Sequence, residues 1–163
     1  QNVAPLIDAL PRIAAIPGAW VEIVTGLSAP LDAQVATAAP QGLAVALTPW
    51  TEAAVETGLA RCDLVVLPAD PGPSHRVKSA NRMERALWGG RMVVATPTRA
   101  AEPWADLVYL DHDLTAGIRR ALAEREHWPA RIAAAQERLI QTRSADALAL
   151  HWEAAAEAAI GKP

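Results

Sequence analysis

The chain has 163 residues, 52% of them hydrophobic and 20% charged, with a formal net charge of −3 and a single cysteine. That fits one globular domain and excludes a disordered chain, a disulfide scaffold and a cysteine-rich zinc site. It gives no bulk positive charge for nucleic acid or an anionic membrane, and no apolar run approaches the roughly 18–20 residues of a transmembrane helix.

Alanine is the most frequent residue, which favours helices. Residues 3–13 carry Val3, Leu6, Ile7, Leu10 and Ile13 at helical spacing. Residues 21–25 and 43–47 are short apolar runs that read as strands. A helix over 51–60 opens on Thr51, a good N-cap. Residues 64–67 form a third strand. A helix over 79–88 is expected to be capped by Ser79 and to stop at Gly89-Gly90. Residues 92–95 and 107–110 read as the fourth and fifth strands. Asp113 caps a helix over 114–123, and two longer helices cover 130–140 and 145–160. Most of the strands are apolar throughout rather than alternating, as strands covered on both faces are. The pattern predicts one α/β domain over residues 1–163, with an open parallel sheet and helices on both faces.

In such a sheet, ligands bind at the carboxyl ends of the strands. Those ends carry Thr25-Gly26, Thr48-Pro49-Trp50, Pro68-Ala69-Asp70 and Thr96-Pro97. The connection over 68–77 leads into His75-Arg76-Val77-Lys78-Ser79-Ala80-Asn81-Arg82. Three cations and two small polar residues at a helix start suit a phosphate, because unpaired N–H groups and the positive dipole end add to the side chains. The same residues also suit a solvated basic helix start. His75 is a possible phosphate partner or proton donor, or simply an exposed loop histidine. Asp111-His112-Asp113 invites a metal reading, but consecutive residues seldom converge on one ion, so no metal site is expected. Cys62 is expected to be a small core residue. His127 and His151 read as surface residues, and Trp104, Trp128 and Trp152 as packing residues.

The segments "RCDLVVLPAD" and "VKSANRMERALWGGRMVVATP" resemble the C-terminal, nucleotide-sugar-binding domain of GT-B fold glycosyltransferases. They are most similar to a bacterial subgroup with a Lys-Ser-x-Asn-Arg motif before "ALWxGR". Residues 2–26, 45–68, 113–124 and 130–140 resemble further parts of that domain. The resemblance implies a Rossmann-like domain that holds a nucleotide sugar as donor substrate, without a bound metal or other cofactor. Lys78, Ser79, Asn81 and Arg82 would face the diphosphate and sugar. Gly26 would let backbone approach the ligand, and Trp50 would lie near base or ribose, unless it is a packed tryptophan at a helix start. Glu102 is a weaker candidate on the loop after residue 97. The departing nucleotide diphosphate would be stabilised by helix dipole and basic side chains.

Two departures from the family pattern stand out. A glutamate pair spaced Glu-x7-Glu would fall on Val77 and Arg85. Glu84 comes one residue early, about 100° round a helix. Either Glu84 substitutes through a local shift, or the donor is held differently, or the site is weakened. The resemblance also places the domain's first, central strand ahead of Asn2. The expectation is therefore a Rossmann-like sheet lacking its first strand, part of a two-domain protein whose N-terminal domain binds the acceptor. The alternative is direct pairing of the strands that would flank it. The functional expectation is a donor-binding domain, with little or no turnover by this chain alone. A non-catalytic binding or assembly module derived from such an enzyme is the alternative. An oxidoreductase lacks its Gly-x-Gly-x-x-Gly motif. With no leader visible and one cysteine, the expected location is the cytoplasm.

Overall fold

Strands and helices alternate along residues 3–69 and 79–160, which the computed structural model describes. The order is α1 (Ala4–Ile13), β1 (Trp20–Thr25), α2 (Ala29–Ala38), β2 (Ala44–Pro49), α3 (Glu52–Arg61), β3 (Leu64–Leu67), α4 (Asn81–Trp88), β4 (Met92–Ala95), β5 (Tyr109–Leu110), α5 (Leu114–Ala123), α6 (Trp128–Arg143) and α7 (Ala145–Ile160). All three ladders are parallel. β1 pairs with β2, and β3, β4 and β5 form a second sheet in that order. No ladder joins β1 to β3 among the described residues. The described residues thus form an α/β structure with two short parallel sheets.

The strands alternate between two cores, as the two-residue period requires. Leu64, Val66, Met92 and Val94 join Ile23 and the buried face of α1 in one cluster, together with α5. Val65, Leu67, Val93 and Ala95 join Met83 and Leu87 of α4 and Leu139 of α6 in the other. Helices therefore cover both faces of the second sheet. α1 contacts both α2 and α5, and Leu6, Ile7, Ala9, Leu10 and Ile13 are all buried along its inner side. It ties the two sheets together. Below them, α3 packs on β1. Arg91, just ahead of β4, reaches the end of α3, donating from Nε to the Leu59 carbonyl at 2.6 Å and from Nη2 to that of Ala60 at 3.0 Å.

Several boundaries differ from the sequence reading. α2 was not anticipated: only Leu31 and Val35 are buried on it, so it carries little apolar period. Its start signal is nonetheless present, since Ser28 Oγ accepts from the Leu31 N–H and a proline stands in the first turn. β5 is shorter than 107–110 because the N–H groups of Leu107 and Val108 both donate to the Trp104 carbonyl, closing a turn. α4 starts at Asn81 rather than residue 79, with Ala80 at the cap position and no side-chain cap. Ser79 therefore does not cap it. Cys62 is not a core residue: it is half-buried at the C-cap of α3, where Sγ lies 3.7 Å from the Leu59 carbonyl and burial raises its pKa. Trp104 and Trp128 are buried, but Trp152 is 71% exposed on α7. His127 and His151 are exposed. No helix among the described residues is long and apolar enough to cross a membrane.

Asp113 caps α5 as expected, its Oδ1 accepting from the N–H groups of Thr115 at 2.9 Å and Ala116 at 3.3 Å. These bonds favour the charged carboxylate and hold its pKa below the ordinary value. Asp113→Ala is expected to cost about 1 kcal/mol at neutral pH. A depressed folded-state pKa stabilises above the unfolded value and loses that effect as pH falls through the folded one. The gap between wild type and variant should therefore close as pH drops below about 4. Urea titrations at pH 7 and pH 3 measure it.

Candidate functional site

A half-open pocket of about 50 Å³ lies where the carboxyl ends of β3 and β4 meet the first turn of α4. Pro68, Ala69, Ser79, Arg82, Thr96 and Thr98 are among its walls. Its rim is built by the strand ends. The Thr96 N–H donates to the Leu67 carbonyl at 3.2 Å, and Thr96 Oγ1 accepts from the Ala69 N–H at 3.1 Å. The loop beyond Thr98 closes as a turn, with the Ala101 and Glu102 N–H groups donating to the Thr98 carbonyl. The pocket is far smaller than the roughly 300–1,000 Å³ that enclose a whole organic ligand. It suits a single compact group such as a phosphoryl.

Its electrostatics are set by α4. Among the described residues no side chain caps the helix start, where Ala80 stands at the cap position, and the positive dipole end of α4 faces the pocket side of its first turn. Arg82 is exposed and makes no ion pair among the described residues. Glu84, in the same first turn, would oppose an anion. Arg143 of α6 offsets it, with Nη2 at 2.8 Å and Nε at 3.3 Å from its carboxylate. That pair leaves the Glu84 side chain only 13% exposed.

The expected site residues fall into three groups. Ser79 and Arg82 line the pocket, and Asn81 is exposed between them at the first position of α4. Glu84 and Arg85 do not line it. Arg85 spans to α3, with Nη1 2.6 Å from Glu52 and Nη2 2.5 Å from Glu56, and the two carboxylates raise its pKa. Gly26 and Trp50 lie at the ends of β1 and β2, in the other sheet, and do not line the pocket either. The Trp50 N–H extends the ladder by donating to the Thr25 carbonyl at 2.9 Å, and the residue is 57% exposed. Lys78, together with His75, Arg76, Val77 and Asp70, lies outside the described residues. Glu102 is exposed on a single 3₁₀ turn, Glu102–Trp104.

Asp111-His112-Asp113 is a capping structure. Asp111 Oδ1 accepts from the Asp113 N–H at 2.9 Å, and Asp113 is committed to α5. Among the described residues no group of three or more His, Cys, Asp or Glu is placed to hold a metal. The pairing of Glu84 with Arg143 and of Arg85 with α3 was missed by the sequence reading. The partners stand 59 residues away in one case and 29 in the other for Glu56, beyond any local spacing rule. No protein-family model matches the chain, and neither a curated protein nor a solved structure does.

Proposed function

We propose that this chain is the nucleotide-sugar donor-binding domain of a GT-B type glycosyltransferase. In this reading it holds the donor diphosphate at the start of α4. The observation that carries the proposal is the pocket between the ends of β3 and β4 and the uncapped start of α4, with Arg82 on its wall and the first-turn Glu84 neutralised by Arg143. One phosphoryl group of the diphosphate would sit in the pocket and accept from the first helical N–H groups, and the Arg82 guanidinium would pair with the diphosphate oxygens. As the glycosidic bond breaks, the negative charge on the leaving diphosphate grows, so those donors act more strongly in the transition state than on the intact donor.

Lys78 completes the cationic set by resemblance. Trp50 is assigned to the base or ribose and Gly26 to close backbone approach. The matching fold reading is a Rossmann-like sheet that lacks its first strand, in a cytoplasmic protein whose acceptor-binding domain is a separate unit. A non-catalytic module derived from such an enzyme is the second reading. It is favoured by one observation: no carboxylate lines the described pocket, because Glu84 is engaged by Arg143.

Calorimetric titration with UDP, GDP, ADP and dTDP, each against its monophosphate, tests the proposal. Saturable binding that needs the β-phosphate is the expected result, and the preferred base identifies the donor class. A folded chain that binds none of the four overturns it.

A further inference from the structure

α7 packs against α6 beyond the joint at Ser144, and of residues 145–159 all but Ala147 are exposed. Its exposed side chains are sorted by kind. Leu148, Trp152, Ala155 and Ala159 follow at steps of four, three and four, which keeps them within a stripe about 60° wide on a helix. Asp146, Glu153 and Glu157 form a second stripe centred about 150° away, and no Lys or Arg lies between 145 and 160. The first stripe is therefore an apolar seam with the spacing of paired helices and no charge within it. Trp152, near its centre, is 71% exposed. A contiguous apolar stripe of this kind marks a surface that a partner covers.

The order of sizes along the seam identifies the occupant. It runs from two bulky residues, Leu148 and Trp152, to two small ones, Ala155 and Ala159. Two copies laid antiparallel about the midpoint between 153 and 154 put Trp152 opposite Ala155 and Leu148 opposite Ala159, so each bulky side chain meets a small one. A parallel pair would set tryptophan on tryptophan and leave the alanines across a gap. The antiparallel pair uses the same patch on both copies and closes at two. It also sets opposed helix dipoles side by side and keeps the three carboxylates of each copy off the contact. Such a seam buries about 500 Å² per copy, or about 1,000 Å² in total, at the lower bound for a specific interface and so consistent with a weak, reversible dimer. We propose that α7 is a self-association helix, pairing antiparallel through Leu148, Trp152, Ala155 and Ala159 with α7 of a second copy of this chain. The proposal is independent of nucleotide binding, and its test uses no nucleotide.

Sedimentation velocity on the full chain over a concentration series tests it. The wild type is expected to pass reversibly from monomer to dimer and to form nothing larger. Trp152→Glu should raise the dissociation constant by about tenfold or more, since it places a charge in the seam. Leu150→Glu is the control. Leu150 is 67% exposed but lies on the carboxylate side, so this change should move the constant by less than about threefold. Trp152→Ala should weaken the dimer, and adding Ala155→Trp to it should restore it, because large again meets small with the roles exchanged. These positions are exposed, so the variants keep their fold, which circular dichroism checks. A chain that stays monomeric to about 0.5 mM overturns the proposal and leaves the seam to a different polypeptide. So do growth beyond a dimer, equal weakening by Trp152→Glu and Leu150→Glu, and a dimer that Ala155→Trp fails to restore.

Discussion

Leu10→Ala should lower the unfolding free energy by about 3 kcal/mol, measured by urea titration, against less than about 0.5 for Leu27→Ala. Leu10 is 0% exposed, and Leu27 is 45% exposed. The difference rests on where α1 sits. The helix contacts both α2 over the first sheet and α5 over the second, and among the described residues no ladder joins the sheets beneath it. Removing the Leu10 side chain forfeits its transfer free energy and leaves a cavity in the packing that bridges the two halves. A cost no greater than that of the surface control would show that the halves hold together without α1.

Gly117→Ala should destabilise by about 1–2 kcal/mol, although alanine is the better helix former by about 1 kcal/mol. Gly117 lies inside α5, where a Cβ would stand 2.8 Å from Val94 Cγ1 and 3.1 Å from Asp111 Cβ. Val94 is wholly buried in the central strand of the second sheet and its branched side chain has few rotamers. Relief therefore requires α5 to move off the sheet. Val94→Ala in the same chain removes the clash, so the double variant should be more stable than the sum of the two single changes predicts. Strict additivity would place the cost elsewhere.

The sequence made the second sheet fully legible at two strands. Leu64–Leu67 and Met92–Ala95 were expected with the bounds they have, because an apolar run covered on both faces and cut off by Asp63 and by Gly90-Arg91 has few other readings. α5 and its Asp113 cap were legible for the same local reason. α2 was not, since its alanines and polar residues carry no face. The direct pairing of β1 with β3, left open by the sequence, does not occur among the described residues.

The candidate site was legible only in part. Strand ends and helix start could be placed from pattern alone, so Ser79 and Arg82 were found beside the pocket they line. Which cations face it could not. Arg82 and Arg85 stand three residues apart on one short helix, and only the tertiary position of α3 decides that Arg85 pairs with Glu52 and Glu56. Glu84 likewise depends on Arg143 at the far end of α6. Such partners are fixed by tertiary structure and leave no mark on local spacing.

The three arginine partnerships make the decisive comparison simple. Arg82 and Arg85 share a helix and a charge, but only Arg82 lines the pocket. Calorimetry on wild type, Arg82→Ala and Arg85→Ala, each with the best-binding nucleoside diphosphate and its monophosphate, isolates the affinity gained from the β-phosphate. That gain should fall about tenfold in Arg82→Ala, consistent with loss of a charge-assisted contact, and persist in Arg85→Ala. A gain that survives Arg82→Ala, or that disappears in Arg85→Ala, would contradict a diphosphate site at the start of α4.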